Sequence, residues 1–120
     1  MSNSEPLDSA ALDALLDATG GDPAFLAEMI DTYLTDSDEL LTTIDSALVN
    51  GRADDLRRAA HSFKSNSATF GAMTLSETCR QIEEQAKAGE LAEPLPFLVE
   101  SARGEFARVR DVLLVTRAEL

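Results

Sequence analysis

The sequence predicts an all-α fold: an antiparallel four-helix bundle with a short additional N-terminal helix. Three observations predict it. Apolar residues recur at steps of three and four along nearly the whole chain. Every glycine but Gly104 falls between these periodic segments, as do Asn50 and most of the prolines, and none breaks an alternating run. The connections are short, which makes consecutive helices antiparallel neighbours. Asn50-Gly51 would suit a hairpin, but helical periodicity flanks it on both sides, so it reads as a helix stop.

Residues 1–6 read as a loose tail and 7–120 as one helical domain, with no internal repeat or low-complexity tract. A first short helix over about 7–18 places Leu7, Ala11, Leu15 and Ala18 on one face and stops at Gly20-Gly21. Asp22 and Pro23 then supply an N-cap and a first-turn proline. The helix they open carries Leu26, Ile30, Tyr33, Leu40, Leu41, Ile44 and Leu48, and reaches residue 49. Over 53–69, Leu56, Ala60, Phe63, Ser67 and, just beyond, Phe70 form one buried stripe, ended by Gly71. Thr74 and Glu77 match a capping box. The helix behind it turns Leu75, Cys79, Ile82 and Ala86 inward and stops at Gly89. Pro94 and Pro96 open the last helix, with Leu98, Ala102, Phe106, Val109 and Leu113 inward and Gly104 as its weak point.

Composition narrows the function. With 22 acidic against 10 basic residues the net charge is -12, which repels nucleic acid and anionic lipid alike. No stretch approaches the ~20 apolar residues that cross a bilayer, and Met1–Pro6 lacks the pattern of a secretory signal. The single cysteine, Cys79, has no partner within the chain and fits a reducing compartment, so a cytoplasmic setting is expected. Nothing demands a dimer, and a monomer is expected. One histidine and one cysteine on different helices make no zinc site, and the chain has no nucleotide-binding or hydrolase signature. No cofactor is expected.

The informative segment surrounds the only histidine. On a helix His61 shares a face with Arg57 and Arg58 one turn before it and with Lys64 and Ser65 one turn after, and Ala68 continues that side. This face lies beside the buried stripe, which puts the imidazole at the surface. A neutral imidazole is a competent nucleophile toward phosphorus near neutral pH, and the phosphoramidate it forms retains a high transfer potential. Lys64 suits phosphate oxygens as a point charge. Arg57 and Arg58 either assist, or meet acidic groups on a partner, or simply pair with Asp54 and Asp55. Ser65 and Ala68 are small enough to let a partner close over the ring.

The run His61-Ser62-Phe63-Lys64-Ser65-Asn66-Ser67-Ala68-Thr69-Phe70-Gly71-Ala72 resembles the motif of histidine-containing phosphotransfer (HPt) domains. That motif is a histidine, any residue, an apolar residue, a lysine, then small residues and an apolar-glycine pair. Phe25-Leu26 at the start of the long helix, and Leu75 with Cys79-Arg80, extend the resemblance over nearly the whole chain. It implies a four-helix bundle in which His61 is phosphorylated and Lys64 supports the phosphorylated state. It implies a phosphorelay role, with receiver domains and a sensor histidine kinase as partners and magnesium only on the receiver. Two positions depart from the family pattern. Ser65 stands where glycine is common, and Glu83 faces the histidine where some members carry glutamine. A carboxylate there either orients His61 by accepting its Nδ1–H or repels the phosphate. Two other readings stand beside the free carrier: a phosphoacceptor domain of a larger sensor kinase, and a helical adaptor that uses no phosphate.

Overall fold

The structure, a computed structural model, describes residues 6–120. The expected tail falls largely on residues 1–5, outside the described residues. Five helices follow in order: α1 Ser9–Ala18, α2 Pro23–Val49, α3 Ala53–Thr69, α4 Met73–Lys87 and α5 Leu95–Ala118. The four long helices pack in a ring in which each touches its sequence neighbours and α5 closes back on α2. No strand occurs among the described residues.

The local signals explain the element boundaries. Asp22 accepts hydrogen bonds from the Ala24 and Phe25 amides at 3.0 and 3.4 Å, and Pro23 sits in the first turn of α2. Its 27 residues make α2 roughly 40 Å long. At its far end the Arg52 amide donates to the Ala47 carbonyl across Gly51, whose φ of 66° closes the helix. The α5 helix runs unbroken through Gly104.

The core is built from Leu26, Ile30, Leu56, Phe63, Leu75, Ile82, Val99, Phe106 and Leu113, all nearly or wholly excluded from water. Phe106 meets Phe63 and Tyr33 edge-on, at centroid distances of 5.8 and 6.1 Å, in the geometry aromatic quadrupoles favour. Tyr33 also stacks on Phe70 at 4.6 Å, and its hydroxyl hydrogen-bonds Ser67 at 2.8 Å. Burial pushes the Tyr33 phenol up to about 12, against the opposing effect of that hydrogen bond.

Four expectations need correction. Leu7 is buried but precedes α1, which Asp8 caps. Ala18 is exposed, and α1 presents Ala11, Leu12, Leu15 and Leu16 instead, all half-buried. In α5 the inward turn is made by Leu95 and Val99, while Leu98 is half-buried. The Thr74–Glu77 capping box does not form. The chain leaves α3 through Gly71 at φ 79°, Ala72 is fully buried, and α4 begins at Met73. Thr74 therefore already lies inside the helix, and Glu77 pairs with Arg80.

Gly71 also holds α1 in place. Its carbonyl accepts from the Asp8 amide at 2.9 Å, and a Cβ added there would stand 2.7 Å from the Ala11 Cβ and 2.9 Å from the Asp8 carbonyl oxygen. Gly71→Ala thus combines a left-handed backbone with a backbone clash. Its expected cost is about 1–3 kcal/mol, read as a lowered thermal midpoint.

Candidate functional site

The buried stripe of α3 fixes how that helix is rotated. Ala60 and Phe63 are fully buried, so His61, one residue beyond Ala60, turns about 100° round the axis toward solvent. Its side chain is 57% exposed. The same reasoning applies to α4, where Ile82 is fully buried and Glu83 turns to the seam between the two helices. Ser76 fastens that seam, its hydroxyl donating to the Lys64 carbonyl at 3.0 Å.

Glu83 joins the two residues of α3 that the sequence singles out. Its Oε2 lies 2.8 Å from His61 Nδ1, and its Oε1 lies 2.7 Å from Lys64 Nζ. The side chain is only 17% exposed, and Lys64 is the partner of the enclosed Oε1. Burial pushes the carboxyl up, but hydrogen bonds and charge from Lys64 and His61 outweigh it and hold the group below its ordinary value. Glu83 is therefore ionised at neutral pH and acts only as an acceptor. Nδ1 must then carry the hydrogen, which leaves the lone pair of the neutral imidazole on Nε2. Of the two readings of Glu83, orientation of the ring is the one this contact supports.

The other candidates are placed differently. Arg57 bonds Asp54 through Nε and Nη2, at 3.1 and 2.8 Å. Arg58 reaches Asp55 at 2.6 Å and Asp54 at 3.5 Å. The three cations therefore do not converge on His61; of them only Lys64 reaches the Glu83 carboxylate that also holds the ring. Ser65 is exposed and Ala68 half-buried, which leaves the side after the histidine low. On the α2 side a cleft opens between Phe25, Met29, Thr32 and Asp36 of α2 and Asn66 and Thr69 of α3. Phe25 is 52% exposed there.

Sequence reasoning passed over Ser76, and it named Arg80 only as part of the family resemblance. Spacing alone puts both on the face of Glu83, at steps of four and three. Arg80 is held by Glu77 and Glu84, and its hydrogen bonds to Glu77, joined by one from Gln81, bring the Glu77 carboxyl down to about 2. Cys79 is fully buried, and burial pushes its thiol up to about 12, away from reactivity. No cluster of metal-ligating side chains occurs among the described residues, nor is any helix there long and apolar enough to cross a membrane.

A bundle of this topology occurs in known proteins. The sequence model of the Hpt domain family matches residues 28–113. The crystal structure of histidine-containing phosphotransfer protein B (HptB) from Pseudomonas aeruginosa PAO1 is similar at 35% identity and a TM-score of 0.90. That match covers 98% of this chain and 99% of the other. The maize histidine-containing phosphotransfer protein ZmHP2 shares the fold at 23% identity and a TM-score of 0.82, over 97% of this chain and 85% of its own. A comparison with curated protein sequences returned no match. The chain belongs to the Hpt domain family, the phosphorelay intermediates that carry phosphoryl groups on histidine.

Proposed function

We propose that His61 is the phosphoacceptor of this relay protein, taking the phosphoryl group from an aspartate of one receiver domain and passing it to an aspartate of another. The observation that carries the reading is the hydrogen bond that Nδ1–H donates to Glu83, which leaves Nε2 of a half-exposed ring as the nucleophile. In the forward step the Nε2 lone pair forms the N–P bond as the aspartyl O–P bond breaks, and the electron pair leaves on the aspartate. The reverse sequence delivers the group to the second receiver. Positioning and charge stabilisation dominate such transfers, so the receiver supplies the catalysis and any magnesium, and this chain acts as carrier.

Receivers dock over the His61 face, with Ser65 and Ala68 leaving room for the approach. Arg57 and Arg58, already paired with Asp54 and Asp55, serve as a bordering polar rim. A sensor histidine kinase charges the first receiver. A cytoplasmic monomer is the form in which we expect this to happen.

The test is incubation with a phosphorylated receiver, followed by assay for acid-labile, base-stable phosphate on this chain. Label on the wild-type chain supports the reading, and its absence overturns it. Lys64→Ala is expected to slow transfer or shorten the life of the phosphohistidine by about tenfold, the size of one lost charge-assisted contact. The domain should stay folded but lose about 1–3 kcal/mol, because the enclosed Glu83 Oε1 is left without its partner.

A further inference from the structure

We propose that Glu83 keeps the Nδ1 proton on the His61 ring through both halves of the relay, so that the ring departs as neutral imidazole when it gives phosphate up. This rests on the reading of His61 as phosphoacceptor. When Nε2 attacks, the ring acquires the N–P bond while still carrying Nδ1–H, and so becomes positively charged. The carboxylate that meets this charge is already in place, with Oε2 at 2.8 Å from Nδ1. In donation the acceptor carboxylate attacks phosphorus and the N–P electron pair returns to Nε2. With Nδ1 still protonated the departing group is neutral imidazole. Without that proton it is imidazolate, a far poorer leaving group.

The surroundings single out Glu83 for this role. On α3, Arg57 and Arg58 are paired with Asp54 and Asp55. On α4, Arg80 is held by Glu77 and Glu84, and Lys87 is exposed one turn beyond Glu83. Asp36 and Glu39 of α2 border Ser62 and Asn66 rather than the ring. Among the described residues Glu83 is the one carboxylate bonded to His61, and Lys64 is the cation bonded to Glu83. Lys64 has three hydrogens to donate. It can hold Oε1 and a phosphoryl oxygen together, keeping the carboxylate aimed at Nδ1 while it steadies the phosphate. Glu83 is thus a positioning residue, acting on phosphorus only through the ring.

The experiment follows donation from phosphorylated wild-type, Glu83→Gln and Glu83→Asp proteins to a receiver, from about pH 6 to about pH 9. The glutamine carbonyl still accepts Nδ1–H, which preserves the starting tautomer, but it supplies no charge to retain the proton. Wild-type donation should stay fast to a pH about one unit higher than Glu83→Gln, a rate difference of about tenfold on the alkaline side that vanishes on the acidic side. Glu83→Asp, which withdraws the carboxylate by one methylene, should lie between. Nitrogen NMR of the phosphorylated ring should show Nδ1 losing its proton at lower pH in Glu83→Gln. Superimposable pH profiles, or a slowing equal at every pH, would overturn the inference and leave His61 as carrier. Absence of phosphohistidine in the wild-type protein would overturn both.

Discussion

His61→Gln is expected to abolish phosphate capture from a phosphorylated receiver while leaving the bundle folded. Glutamine has no nitrogen lone pair able to attack phosphorus, and no other histidine exists in the chain to substitute. The side chain is 57% exposed and lies outside the core, so its removal opens no cavity. The loss of its bond to Glu83 is worth about 1 kcal/mol at most. A phosphate-affinity gel should show the shifted wild-type band and no shifted variant, while circular dichroism melts nearly coincide. Capture that survived the substitution would remove His61 from the mechanism. The same pair of proteins separates a carrier from an adaptor, since an adaptor binds receivers equally in both forms and captures phosphate in neither.

Phe63→Ala should cause the largest loss of stability, although it lies only two residues from the nucleophile. Phe63 is fully buried and meets Phe106 edge-on at 5.8 Å, in the heart of the α3 contact with the rest of the bundle. Truncation to alanine removes most of a ring's worth of buried surface and leaves a cavity that four helices cannot collapse around. The expected cost is about 3–5 kcal/mol, a large share of the ~5–15 kcal/mol that holds a domain together. Urea denaturation should show the midpoint fall with an unchanged slope. Where the variant remains folded, phosphate capture should persist, because His61 and Glu83 face the other way. Stability and chemistry thus separate along one helix by a rotation of about 100° per residue.

That separation is also why so much was legible beforehand. A stripe at steps of three and four states which side of α3 is buried, and the remaining side then follows for His61, Lys64 and Ser65. Asp22-Pro23 and Asn50-Gly51 act through the backbone of their own turns, so they are read from sequence without knowing what packs nearby. Thr74 and Glu77 fit a local pattern equally well, yet the burial of Ala72 and the turn at Gly71 start α4 before them. Tertiary packing overrode a local signal there. The arginines illustrate a different limit. Composition shows cations near the histidine, but Asp54 and Asp55 sit one turn away on the same helix and take both guanidinium groups. Cross-helix polar contacts, such as Tyr33 with Ser67 and Ser76 with the Lys64 carbonyl, depend on helix register, which the sequence pattern leaves open.

The bond between His61 and Glu83 spans only 22 positions of chain. A closed loop of that size takes up little chain entropy, and the pairing of α3 with α4 can form early, as contacts near in sequence generally do. The reactive constellation is therefore the property of a single helical hairpin. The outward faces of the long helix α2 and the closing helix α5 can change to suit new receivers, so long as their inner faces go on covering Phe63 and Ser67 of the hairpin that holds His61.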